Sequence, residues 1–312
     1  MSAHPSTWSL AEMPDQAGRT VVVTGPTSGL GEATALELAR RGAHVVLAAR
    51  NPEKIATTTA HIEREVPGAR VGSLVVDLSS LASVHAAAAE AARLGPIDVL
   101  VNNAGVMATP ARRTDDDLDL QMATNHFGPF LLTGLLLPQL AASGDGRVVT
   151  VSSFLHRIAR SAPTRDPRRV PGGRYHRWQV YGQSKLANLL FTFELQRRAT
   201  AAGLPVRALA AHPGYASTHL LSYGQTGRSQ GGLASILNGV AAATAQSAAD
   251  GALPTLMAAT ADLPGGTFCG PGSFQQMRGL PRVVGSNALS RDETAQRELW
   301  EVSEATAGLT WP

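Results

Sequence analysis

Lysine is almost missing from this chain. Its 312 residues include 27 Lys+Arg, and only Lys54 and Lys185 are lysines. Positive charge is written as arginine nearly everywhere. A lysine in such a chain asks for a reason, because a compact ammonium with a shiftable pKa does work that a guanidinium cannot. Cysteine is scarcer still: the single Cys269 excludes an internal disulfide and argues for a reducing compartment. Aromatic residues make up 5% and are not interleaved with the basic ones, so a nucleic-acid surface is not expected. Long hydrophobic runs are missing too. The longest, "FLLTGLLLPQLAA", is too short to span a bilayer and contains Pro138. The opening "MSAHPSTWSLAEMPDQAGRT" has no basic region followed by an apolar run, so no secretory signal is expected. These gaps lead to the expectation of a cytoplasmic protein with no membrane span and no metal centre.

What is present is ordinary for a globular chain with a sizeable core: 44% hydrophobic, 16% charged, net charge +3. Short β-branched runs alternate with helical patterns. "TVVVTG" is followed by a helix from about Gly29 to Arg41, then by the strand "HVVLAA" and a helix from about Pro52 to Val66. "VGSLVVD" leads into an alanine-rich helix ending near Leu94, and "IDVLVNNAG" into a long helix from about Asp115 to Ala142. "GRVVTVSS", the helix containing Tyr181, "PVRALAAHPG", a helix near Ser247 to Thr260 and a last strand "GTFCG" complete the series. Strands alternating with helices predict right-handed crossovers and a parallel sheet covered on both faces. The expected architecture is one α/β domain, a doubly wound Rossmann-type sheet over residues 18–312, preceded by an extension at 1–17.

The first strand runs into "TGPTSGLG". Gly25 permits a tight turn, and Gly29 and Gly31 let the backbone approach a pyrophosphate at a helix N-terminus, where free N–H groups and the helix dipole favour anions. Thr27, Ser28 and Leu30 lie in the same cradle. An NAD site of this kind places an acid about 20 residues further on. Here "HVVLAARNPEK" has no acid from His44 to Asn51, and Arg50 stands at the strand end, where a guanidinium suits a ribose 2′-phosphate. NADP is the expected cofactor, with NAD the lesser candidate.

The stretch "YGQSKLANLLFTFELQRRA" reads as a helix opening at Tyr181, and Tyr181 and Lys185 lie four residues apart on one of its faces. Together with the glycines, this pair resembles the short-chain dehydrogenase/reductase family, in its compact branch and retinol dehydrogenase-like subgroup. "NNAG" (Asn103, Ala104 and Gly105 among its residues) is similar to the family's strand-end motif, and Asp77, followed by Leu78, sits where an acid contacts adenine. The resemblance makes Asn125, Ser153, Tyr181 and Lys185 the catalytic set, and Pro213, Gly214 and Thr218 the segment covering the nicotinamide. It implies carbonyl–alcohol interconversion on a small molecule by an NADP-preferring enzyme. Tyr181 acts as general acid/base, with its phenol drawn toward ionisation by Lys185. Ser153 holds the substrate oxygen, and the Asn125 backbone holds a water linked to Lys185. Adjacent Ser152 is the rival for the serine role, since strand neighbours face opposite ways. Homodimers or homotetramers are common in the family.

Two other functions use the same residues. One is a C=C or imine reductase, and the other is an NADP(H)-binding sensor, which predicts a broken catalytic set. Substrate loops are expected near residues 156–178 and 215–246. The first holds Arg157, Arg160, Arg165, Arg168, Arg169, Arg174 and Arg177 against one acid, Asp166, and its ends lie beside Ser153 and Tyr181. It reads either as a solvated insertion or as a charged rim that draws in anionic substrates.

Overall fold

The computed structural model describes residues 7–165, 175–214 and 246–311. Thr218, Arg168, Arg169 and Arg174 lie outside these residues, together with part of the expected 156–178 loop and nearly all of the expected 215–246 loop. Among the described residues, eight strands form one sheet in the order β3-β2-β1-β4-β5-β6-β7-β8. The strands are β1 (Thr20–Thr24), β2 (His44–Ala49), β3 (Val71–Val75), β4 (Val99–Asn102), β5 (Gly146–Val151), β6 (Val206–Ala211), β7 (Phe268–Ser273) and β8 (Arg278–Val283). All pairings are parallel except β7 with β8. The helices are α1 (Gly29–Arg40), α2 (Pro52–Glu65), α3 (Leu81–Ala91), α4 (Leu120–Met122), α5 (Gly128–Ala142), α6 (Arg177–Ala201), α7 (Ala248–Thr260) and α8 (Glu293–Ala307). This is a Rossmann-type doubly wound sheet with an antiparallel edge.

Strand alternation divides the core between the two faces. Val22, Val46, Leu74, Leu100 and Val148 meet α3, α5 and α6 on one side, whereas Val21, Val23, Val45, Leu47 and Val101 meet α1 and α7 on the other. Local signals start the helices: Asn51 accepts from Lys54 N–H at the start of α2, with Pro52 at its first position, and Asp292 accepts from Thr294 and Ala295 N–H at the start of α8. Residues ahead of β1 join this packing. Trp8 and Met13 are buried in the core face shared by α1 and α7, and Trp8 N–H donates to Pro281 O of β8 at 2.9 Å.

The structure corrects four local expectations. The expected helix from Asp115 begins at Leu120, behind an Asp119 cap whose side chain accepts from Gln121 and Met122 N–H. It then passes through a π turn at Ala123–Phe127, closed by Gly128 N–H on Ala123 O. The Tyr181 helix begins at Arg177, which places Tyr181 one turn in rather than at the start. Finally, β8 and α8 are additional elements. β8 lacks alternation because its residues lie on a half-exposed edge, while α8 covers α6 and α5 with an aromatic cluster of Phe130, Phe191, Trp300 and Trp311. No helix among the described residues is long and apolar enough to cross a membrane.

Three histidines are buried and held neutral by desolvation, His126 and His212 pushed down to about 3 and His156 to about 4. The unfolded chain binds protons at these sites more readily, so stability is lost as pH falls through the ordinary histidine value near 6.5. The loss continues until the folded form also protonates. By pH 5 each site costs about 2 kcal/mol. Thermal unfolding is therefore expected to show a falling Tm between pH 6.5 and 5, above the range where ordinary carboxylates titrate. A flat Tm across that interval contradicts it.

Candidate active site

The expected site residues within the described parts gather around the C-terminal ends of the parallel strands. The order of the sheet reverses between β1 and β4, and the loops leaving these strands part there to leave a crevice. Thr24, at the end of β1, holds the crevice in register. Its hydroxyl donates to Val101 O (3.2 Å) and accepts from Asn103 and Ala104 N–H (both 3.0 Å). Asn103 Nδ2 donates back to Thr24 O (2.9 Å) and Gly25 O (3.2 Å). The side chain of Asn103 thus supports the glycine turn from below.

The turn has no room for a side chain at Gly25 or Gly31. Gly25 is at φ +65°, and a Cβ there would lie 2.9 Å from Ala104 Cα. A Cβ on Gly31 would lie 2.2 Å from Gly25 O. Ser28 caps α1 without a side-chain hydrogen bond, so the first-turn N–H groups face the crevice bare. Such a cradle fits a dinucleotide pyrophosphate. Arg50 is exposed immediately after β2, and the neighbouring strand end carries Asp77, whose carboxylate accepts from Ser79 N–H (2.9 Å) and Oγ (2.6 Å). Leu78 is buried, and its carbonyl is so close to Gly128 that a Cβ there would sit at 2.1 Å. After β6, Gly214 (φ +68°) packs against Met277 O, where a Cβ would come within 2.4 Å. Gln246 Nε2 ties Pro213 O (3.2 Å) to Met277 O (3.1 Å).

Tyr181, Lys185, Ser153 and Asn125 converge beside this crevice. Lys185 Nζ lies 5.8 Å from the centroid of the Tyr181 ring and donates to Val151 O at 3.1 Å. Asn188 Nδ2 shares that carbonyl at 3.0 Å. A Cβ on Gly105 would be 3.4 Å from Lys185 Nζ and 3.1 Å from Asn125 Oδ1, so this glycine lets these two side chains come close together. The Asn125 side chain is fully engaged, accepting from Val106 N–H (2.8 Å) and donating to Val106 O and Ser184 Oγ (both 2.9 Å). Ser184 in turn donates to Tyr181 O at 2.8 Å.

The two serines are sorted by their surroundings. Ser152 is buried, with its hydroxyl donating to Lys185 O at 2.7 Å, whereas Ser153 is half-buried and hydrogen-bonds the Tyr181 side chain. Thr24, Ser184, Asn188 and His156 were missed by the sequence reading. A usable signal existed for two of them: Ser184 and Asn188 lie three and seven positions from Tyr181, at spacings that put them on the same helical face.

Burial pushes the Tyr181 phenol up to about 12, opposed by its hydrogen bond with Ser153, and pushes Lys185 down to about 8. Desolvation moves both groups toward their neutral forms, and the Lys185 ammonium donates to Val151 O. Beyond Tyr181 lies a cleft of about 640 Å³ lined by Pro110, Ala111, Tyr175, His176, Arg177 and Trp178. The Trp178 ring stands edge-on to Tyr181 at 6.5 Å.

A doubly wound sheet with a glycine cradle and a Tyr–Lys helix beside it defines a dinucleotide-dependent oxidoreductase class. Comparison with known proteins agrees. A family model described as short chain dehydrogenase matches residues 19–162. Retinol dehydrogenase 13 of Homo sapiens is 43% identical over 204 residues, a match covering 65% of this chain and 60% of that protein. Retinol dehydrogenase 14 of Homo sapiens is 35% identical over 309 residues, covering 94% of this chain and 87% of that one. A crystal structure of a protein from Mycobacterium Paratuberculosis is similar at TM-score 0.78 and 42% identity, covering 98% of this chain and 99% of the other. This chain belongs to the short-chain dehydrogenase family, an oxidoreductase family that uses NAD(P), and groups with its retinol dehydrogenase-like members.

Thr24→Val tests the seam under the cradle. It keeps the shape of the side chain but strips Ala104 N–H of its acceptor, a loss of about 1–3 kcal/mol. Denaturant unfolding is expected to show that loss, together with weaker dinucleotide binding. An unchanged midpoint and affinity would show the hydroxyl to be dispensable.

Proposed function

We propose that this protein is an NADP-preferring carbonyl reductase/alcohol dehydrogenase acting on a small molecule in the cleft beside Tyr181. The observation that carries the reading is the convergence of Tyr181, Lys185 and Ser153 on one wall of a glycine-cradled crevice. When bound, the dinucleotide supplies or accepts the hydride. Gly25 to Gly31 hold its pyrophosphate through backbone N–H groups, and Arg50 holds the 2′-phosphate. Asp77, Leu78, Asn103, Ala104 and Gly105 would line the adenine and ribose side, while Pro213 and Gly214 would cover the nicotinamide; Thr218, assigned to the same segment, lies outside the described residues.

The proton steps belong to the chain's own residues. With its phenol held neutral at physiological pH, Tyr181 is a ready donor to a carbonyl oxygen in the direction of reduction. Ser153 Oγ holds that oxygen as negative charge grows on it. Lys185 holds the nicotinamide ribose, and its charge stabilises the phenolate left after donation. Reprotonation runs from Lys185 through a water held at the Asn125 backbone, in the π turn.

Tyr181→Phe removes the donor and leaves the cradle intact. Turnover is expected to fall at least about a hundredfold while NADPH affinity persists. The assay is NADPH oxidation against a panel of ketones, aldehydes, enones and imines. Turnover within a few-fold of the parent sinks the acid/base assignment, and reduction of only the enones or imines moves the reaction class.

The cofactor preference has its own test. Arg50→Asp is expected to weaken NADPH binding far more than NADH binding, by removing a charge-assisted contact and adding repulsion. A parent protein that already prefers NADH would leave Arg50 as a surface residue.

A further inference from the structure

We infer that His156 is a positioning residue for Ser153, an imidazole clamp that joins the loop carrying the serine to the segment following β8. This rests on Ser153 being the hydroxyl that meets the substrate oxygen, as proposed above. Ser153 is the cap of a short 3-10 turn, Phe154–Ile158, and its Oγ accepts from Leu155 N–H at 3.2 Å. Its carbonyl is held twice by His156, through the main-chain N–H at 3.0 Å and through Nδ1 at 2.7 Å. A carbonyl only accepts, so Nδ1 carries the proton. On the other side of the ring, Asn287 N–H donates to Nε2 at 3.3 Å, so Nε2 carries none.

These partners define a single state, the neutral Nδ1–H tautomer. Asn287 closes the clamp by donating from Nδ2 to His156 O at 3.3 Å, and its own Oδ1 accepts from Ser290 N–H at 3.1 Å. Gln296 Nε2 then links Ser290 O to α8 at 2.9 Å. Phe268 of β7 walls the ring edge-on at 5.8 Å. Both ring nitrogens are thus occupied by backbone groups, and neither is available to a substrate. The imidazole therefore acts through Ser153: with both lone pairs of the Ser153 carbonyl engaged, the peptide cannot rotate, and Oγ stays turned toward Tyr181. Burial, which pushes this imidazole down to about 4, keeps it in the state the clamp needs.

The experiment compares the full-length parent with H156F, H156N, S153A and the S153A/H156F double variant, using NADPH and benzaldehyde as probes. Misplacing a reacting group by a fraction of an ångström to 1 Å costs up to about a hundredfold in rate. H156F is accordingly expected to lose about tenfold or more in kcat, with the KM for NADPH within about twofold of the parent. H156N puts an amide N–H in the position of Nδ1–H and is expected to recover kcat to within about threefold. In the S153A background, H156F is expected to cost less than about twofold further, the non-additivity of two residues acting as one unit. An equal fall with and without Ser153, or an Asn variant as impaired as the Phe variant, overturns the inference. The ring nitrogen shifts of His156 at pH 7, read by NMR on the parent, decide the clamp even if no carbonyl compound is turned over. In that case the proposed function fails alone. A neutral Nδ1–H imidazole supports the clamp, and an Nε2–H or doubly protonated ring overturns it; this readout on the parent decides the matter also if H156F fails to fold.

Discussion

The seam between β1 and β4 carries the rest of the site. Strand order reverses there, so the loops that leave the two strands go to opposite sides and would separate without a tie. Thr24 and Asn103 supply that tie, through hydroxyl and amide groups that are buried or half-buried and paired on both sides of the seam. Buried polar networks of this kind are costly when half-made and rigid when complete. Rigidity at this point lets Gly25 and Gly31 come close to Ala104 and Asn103 without side chains between them.

A second, separately anchored wall faces that seam. α6 brings Tyr181, Ser184, Lys185 and Asn188 along one buried face, and all four are tied to β5, to the π turn or to each other. The π turn at Ala123–Phe127 contains Asn125, whose side chain ties Val106 to Ser184. Gly105 then allows Asn125 and Lys185 to approach from opposite sides. Such a wall is positioned by tertiary packing on elements far apart in the chain, from β4 to the segment after β8.

Burial decides the protonation states in this region. Tyr181 and Lys185 are both moved toward their neutral forms, and the nearby histidines are held unprotonated.

Much of this was legible in the sequence, because the signals are local. Alternating strand and helix patterns, the Asn51-Pro52 start of α2 and the glycine turn after "TVVVT" involve residues within a few positions of one another, and they determined the parallel α/β fold and its cradle. The edge strand β8 escaped because an exposed antiparallel strand needs no apolar alternation, and the π turn because its period differs from an ordinary helix by one residue. The sequence alone left Ser152 and Ser153 as rivals one position apart. Only the tertiary structure separated them, by burying one hydroxyl against Lys185 O and leaving the other beside Tyr181. The same holds for the pKa of Tyr181 and for His156, whose partner Asn287 lies 131 residues away. Local sequence sets periodicity and caps through contacts one turn long, whereas burial and hydrogen-bond partners are set by whatever the rest of the chain packs alongside.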